Sequence, residues 1–323
     1  MRLWERIEAA WRRPDLAIFH RFQKAPFGGA NQFLVALRGE LERRKFRVAG
    51  NLIGPQTRAA LLNAFAFDAD RLRRMRHSGC RIVHRIDGPV GRYRGQDATI
   101  DHHIASLNME FAAATVFQSQ YSLAAHREIG LAFTSPIVIP NAVDPTLFHA
   151  QGRRGFDPDR KIRLVSTSWS DNPGKGASTY KWIEDHLDWS RFEYTFIGRT
   201  PVPFDRIRTV PPLSSQALSD ELRAHDIYLT ASRNDPCSNA LLEALACGLP
   251  ALALRSGGHP ELVAEGGVLF DDTDDVLAGL EALVADYKAR QASIRVTPLA
   301  EVVDRYVSVM LEDGSPERQA PST

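Results

Sequence analysis

Ile227-Tyr-Leu-Thr-Ala-Ser-Arg-Asn-Asp235-Pro-Cys-Ser-Asn-Ala-Leu-Leu-Glu243-Ala-Leu-Ala-Cys-Gly248-Leu-Pro-Ala-Leu-Ala-Leu254 holds three structural signals in one short stretch. Ile227 to Thr230 is an apolar run of strand length, and Pro250 to Leu254 is another. Between them, Asp235-Pro236 reads as a turn, and Ser238 and Asn239 are N-cap candidates ahead of the helix-forming Ala240-Leu241-Leu242. Strand, loop, helix and strand in that order make the repeating unit of a doubly wound parallel sheet.

The same alternation extends in both directions. Upstream, apolar β-branched runs predict strands at Leu16 to His20, Phe46 to Ala49, Cys80 to His84, Thr115 to Gln118 and Ile137 to Ile139. Nearer the opening stretch and beyond it, they fall at Ile162 to Thr167, Tyr194 to Ile197 and Val268 to Phe270. Turn formers and charge replace periodicity at Pro140-Asn-Ala-Val-Asp-Pro145 and Gly152-Arg-Arg-Gly155, where the boundary is placed. The expected fold is α/β, with two Rossmann-like doubly wound domains facing a cleft, at residues 1–145 and 146–312, and a flexible tail at 313–323. A chain of 323 residues suits two domains, because single cores stop growing at roughly 250 to 300 residues.

Composition removes several function classes. Lys plus Arg is 40 against 39 for Asp plus Glu, which argues against general nucleic-acid binding. Cys80, Cys237 and Cys247 lack the paired spacing of zinc or redox sites and suggest a reducing compartment. No run approaches the roughly 20 apolar residues that span a bilayer, so a cytoplasmic protein is expected. Trp4, Ile7 and Trp11 share a helix face among basic residues in Met1 to Arg13; a terminal helix packed on the body is favoured over peripheral membrane contact. His102-His103 has no further ligand spacing and does not read as a metal site.

In open α/β sheets, ligands bind beyond the carboxyl ends of the strands. The helix starting at Ser238-Asn239-Ala240 would offer backbone N–H groups and its dipole to an anion there. Asp235 and Glu243, eight residues apart, would flank that anion and accept hydrogen bonds from sugar hydroxyls. This segment resembles the E-x7-E signature of GT-B retaining glycosyltransferases of family 4, with Asp235 in place of the first Glu. Ser256-Gly-Gly-His-Pro-Glu261-Leu-Val263 resembles the family's S-G-G-x-x-E-[IV] pattern, and Lys175-Gly176 resembles its Lys-Gly. The resemblance covers about residues 15 to 310. It implies a nucleotide diphosphate sugar as donor and a saccharide, glycolipid or other hydroxyl acceptor, with no metal or other cofactor. The first domain would then be the acceptor side and the second would bind the donor.

The resemblance also assigns residues. Lys175 would meet the donor pyrophosphate; the family's partner Arg is Trp169 here, with Arg199 as a candidate substitute. Backbone near Pro212 and Leu213 would meet the base. Gly28-Gly29, between the first strand and its helix, would close over the phosphates. His84, read as the end of its strand, matches the family's cleft histidine, and Arg85 and Asp87 would order it or the acceptor. The expected catalytic set is His84, Lys175 and Asp235. A catalytically silent nucleotide-sugar-binding subunit is the main rival, suggested by Asp235 and Trp169; a GT-B epimerase or phosphorylase finds less support.

Overall fold

A computed structural model describes residues 13–23, 30–95 and 98–312. The expected terminal helix of Met1 to Arg13, for its first twelve residues, the Gly28-Gly29 loop and the tail 313–323 lie outside the described residues. The first sheet contains β1 (Leu16–Phe19), β2 (Val48–Gly50), β3 (Ala59–Asn63), β4 (Arg81–Ile86), β5 (Ala114–Phe117) and β6 (Pro136–Val138), in the order β2-β1-β3-β4-β5-β6. The second contains β7 (Ile162–Ser168), β8 (Phe192–Gly198), β9 (Arg208–Val210), β10 (Ile227–Thr230), β11 (Ala251–Leu254) and β12 (Gly267–Phe270), in the order β12-β11-β10-β7-β8-β9. All pairings are parallel.

Every residue of β1, β3, β10 and β11 is buried, as expected of strands covered by helices on both faces. Two strands escape sequence reading. Ala59-Ala-Leu-Leu-Asn63 has helix-forming composition, and only its place between β1 and β4 makes it a strand. Arg208-Thr-Val210 is a three-residue edge strand with no buried position.

The domain limits need one correction. The helix Leu299–Leu311 was expected in the second domain, but its apolar face (Leu299, Val302, Val303, Tyr306, Met310) lies in the first domain's core. There it packs with Phe33, Leu37, Leu16, Ile18 and Leu61. The half-buried Arg44 reaches across to Asp304 at 2.5 Å and to the carbonyl of Ala300 at 2.8 Å. The chain therefore crosses back, and the first sheet gains a helix that a contiguous division would deny it.

Strand order reverses direction between β1 and β3 in one sheet and between β7 and β10 in the other. Those switch points leave a crevice at the carboxyl ends of the strands. No helix among the described residues is long and apolar enough to cross a membrane.

Candidate functional site

At the second switch point, β7 leads to a short 3-10 turn, Pro173–Lys175, and β10 leads to the loop 231–238. Asn172 caps the turn by accepting the Gly174 N–H at 2.8 Å. Gly176 has φ +84°, and a Cβ there would lie 2.5 Å from that of Ala231, so the lysine loop is pressed onto the end of β10. This placement brings Lys175 Nζ to 2.9 Å from Asp235 Oδ2 and 3.4 Å from Ser232 Oγ. Asp235 also accepts the Cys237 N–H at 3.3 Å, which fixes the turn before the helix.

Ser238 caps the helix Asn239–Ala246, its Oγ accepting from the Leu241 N–H at 3.3 Å. Ser238, Asn239 and Ala240 thus form the first turn, beside Lys175 and Asp235. Burial pushes the Asp235 carboxyl upward; the charge of Lys175, then that of His259, and hydrogen bonds from Lys175 and Cys237 outweigh it, leaving the pKa below the usual carboxylate value. Glu243 lies one turn into the helix and is 7% exposed. Its carboxylate has no hydrogen-bond or ion-pair partner among the described residues, and burial pushes its pKa up to about 8. A buried carboxyl without a partner is costly, and a ligand hydroxyl would relieve it.

The Ser256-Gly257-Gly258 turn supports this loop from below. Ser256 Oγ accepts the Asn234 N–H at 2.9 Å, and the Gly258 N–H donates to the Asp235 carbonyl at 2.8 Å. A Cβ on Gly257, at φ +64°, would sit 2.3 Å from the Asp235 carbonyl oxygen. Glu261, in the helix that follows, spans the crevice: its carboxylate accepts the Gln120 and Tyr121 N–H groups, both at 2.8 Å. These open the helix Gln120–Glu128 of the first domain, where a negative charge is favoured. Tyr121 Oη donates to Asn234 Oδ1 at 3.1 Å, and Asn172 Nδ2 to the Tyr93 carbonyl at 3.2 Å, so the two domains meet directly across the site.

Other assigned residues stand farther apart in role. Trp169 and Leu213 are partly buried and pack on the apolar cluster beneath the carboxyl ends of β7 and β9. Trp169 therefore contributes packing rather than charge at the end of β7. Arg199 follows β8 and is exposed; its N–H donates to the Ser168 carbonyl at 2.8 Å, and its side chain has no partner among the described residues.

His84 is not a cleft histidine. β4 runs on to Ile86, which makes His84 a mid-strand residue with no exposed surface. Its Nε2 bonds the Ala64 carbonyl at 2.6 Å, Nδ1 lies 3.3 Å from Asn108 Nδ2, and burial lowers its pKa to about 4. Replacing His84 with Phe should lower the thermal midpoint, because Asn108 and the Ala64 carbonyl lose buried partners at about 1 to 3 kcal/mol. Nucleotide affinity in calorimetry should stay within about twofold; a larger loss with the fold intact would return His84 to the site.

The cleft-side histidine of the first sheet is His20, directly after β1 at the switch point. Its Nδ1 faces Asn63 Nδ2 at 3.2 Å, and Nε2 is buried with no hydrogen-bond partner among the described residues. In the sequence it is only the last residue of the apolar run Leu16 to His20. Arg85 and Asp87 do meet, at 3.0 Å, yet Arg85 is fully buried and so serves structure rather than an acceptor. A separate cavity of about 740 Å³, lined by Arg58, Arg76, Arg81, Phe111 and Met310 among others, opens at the amino ends of β3 to β5, the opposite end from ligand sites in such sheets.

Solved structures share this architecture. Sucrose-phosphate synthase from Thermosynechococcus elongatus superposes with a TM-score of 0.68 at 15% identity, covering 92% of this chain and 94% of that one. The catalytic domain of starch synthase IV from Arabidopsis thaliana, bound to ADP and acarbose, gives 0.69 at 12% identity over 92% and 98%. The fold is GT-B. Within it, residues 196–286 match the family described as glycosyl transferases group 1. The D-inositol 3-phosphate glycosyltransferase of Corynebacterium efficiens is 25% identical over 241 residues, 68% of this chain and 54% of that protein. The chain spans about half the length of that curated relative. Asp235 and Glu243 lie within the matched residues 196–286, and Lys175 lies outside them.

Proposed function

We propose that the chain is a glycosyltransferase that moves a sugar from a nucleotide diphosphate donor to a hydroxyl of a saccharide or glycolipid, with retention of configuration and without a metal. One observation carries this reading: at the β7/β10 switch point Lys175, Asp235, the first turn of the helix Asn239–Ala246 and the unpartnered buried Glu243 converge. The named relatives support it.

As the bond from the sugar to the diphosphate breaks, negative charge builds on the leaving oxygen and the ring takes on oxocarbenium character. Lys175 and the N–H groups of Ser238 to Ala240 meet the first of these. Donor arrival draws Lys175 from Asp235 to the pyrophosphate, and Asp235 then accepts sugar hydroxyls. Glu243 takes the ribose hydroxyls. On the retaining route the acceptor oxygen attacks from the face that the diphosphate leaves, and its proton passes to a leaving phosphate oxygen. Three free, buried thiols fit a cytoplasmic setting.

Turnover of UDP, GDP and ADP sugars with hydroxyl acceptors, followed as nucleotide release, tests the proposal. Nucleotide binding without any turnover would favour the silent-subunit reading, which Trp169 in the arginine position supports specifically. EDTA should leave turnover within about twofold, because a lysine and helix donors supply the positive field. Activity lost to EDTA and restored only by Mg²⁺ or Mn²⁺ would reject the metal-independent route.

A further inference from the structure

Arg85 has no exposed surface, although it carries a cationic guanidinium with five N–H donors. A buried cation is costly unless its donors are met, and here side chains meet Nη1 and Nη2, while Nε has no hydrogen-bond partner among the described residues. Nη1 donates to Asn63 Oδ1 at 2.6 Å and to Asp87 Oδ1 at 3.0 Å, and Nη2 to Asn141 Oδ1 at 2.8 Å. The guanidinium carbon lies 5.1 Å from the centre of the Phe33 ring. Asp87 also accepts from Gln118 Nε2, and Gln118 Oε1 accepts from Asn141 Nδ2 at 2.9 Å, closing a ring of four residues.

Asn141 belongs to the segment that leaves the first sheet for the second. Its Nδ2 also donates to Asn239 Oδ1 at 2.8 Å. Asn239 is the first residue of the helix whose opening turn stands beside Lys175 and Asp235. A charge buried in one domain is thus joined through one amide to the start of the donor helix in the other. The planar fork of arginine sets both the position and the rotation of that amide, which a lysine ammonium cannot do.

We propose that Arg85 is a positioning residue: through Asn141 it holds Asn239 and the first turn of the donor helix in the geometry that binds the diphosphate. This rests on the nucleotide-sugar reading of the site. Arg85 touches no substrate, so its effect must travel through Asn239, and the two residues must be coupled in nucleotide affinity.

The test is a double-mutant cycle on the full chain, read by calorimetry with UDP, GDP and ADP and controlled by the thermal midpoint. Arg85→Lys and Asn239→Ala should each weaken the tightest-binding nucleotide about tenfold. The double variant should fall no more than about twofold below the weaker single. Independent effects, giving roughly a hundredfold loss in the double, would overturn the proposal, as would singles within twofold of the parent. If Arg85→Lys does not fold, the cycle of Asn141→Ala with Asn239→Ala decides on the same limits. Failure of the parent itself to bind any of the three nucleotides would overturn the donor-site reading and this inference together.

Discussion

Lys175→Ala should lower turnover by 10² to 10³, the effect of losing one well-placed donor to developing charge, roughly 2.7 to 4 kcal/mol. Lys175 is the cation that meets Asp235, three residues before the Ser238 cap, whereas Trp169 packs on the apolar cluster and Arg199 is exposed. The geometry adds a second consequence. Lys175 is also the largest charge that offsets Asp235's burial, so its removal leaves that carboxylate facing the phosphates. Donor affinity should therefore fall along with turnover. Adding Asp235→Asn to Lys175→Ala should recover part of the affinity and none of the turnover, since repulsion is relieved while the missing donor is not replaced. Arg199→Ala should stay within a few-fold of the parent. Steady-state kinetics and calorimetry on these four proteins separate the outcomes, and turnover within a few-fold for Lys175→Ala would reject the role.

The loops and helix at the end of β10 and β11 were legible because their signals are local. The strand Ile227–Thr230, the Asp235-Pro236 turn, the Ser238 cap and the Gly257-Gly258 turn each depend on neighbours in sequence, and the structure forms all four. The features of the first domain depend on partners distant in sequence. His84 looked like a strand end because the apolar run breaks there, but parallel pairing with β3 and β5 carries β4 through Ile86 and turns the polar residue inward. Ala59–Asn63 becomes a strand only through its neighbours. The helix Leu299–Leu311 shows its apolar stripe in the sequence, yet nothing local says which sheet the stripe will cover. Asn141 looked like part of a linker; its role depends on Arg85 and Asn239, 56 residues before it and 98 after.

Glu243→Gln should stabilise the free protein at alkaline pH while weakening nucleotide binding. The unfolded chain ionises this carboxyl near 4.5, whereas the folded chain keeps the proton until about 8. Between those values the folded state binds more protons than the unfolded state, so stability falls as pH rises. Each pH unit costs about 1.4 kcal/mol, and the penalty at pH 8 reaches up to roughly 4 kcal/mol. Glutamine does not titrate, so the thermal midpoints of variant and parent should coincide near pH 4.5 and separate by several degrees at pH 8, with the variant higher. The same proton must leave before the carboxylate can accept two ribose hydroxyls. The parent should therefore release close to one proton on binding a nucleoside diphosphate at pH 7, measured by calorimetry in buffers of different ionisation enthalpy, and its affinity should rise toward pH 8. The variant should release none and bind about ten- to a hundredfold more weakly, the loss expected for charge-assisted hydrogen bonds of roughly 1.5 to 3 kcal/mol. A variant less stable than the parent at pH 8 would mean that Glu243 is ionised and paired in the free protein. Unchanged affinity with unchanged proton release would remove it from the nucleotide site. The two measurements also distinguish function from packing: a residue kept for stability would not leave the fold stronger when replaced by its neutral isostere.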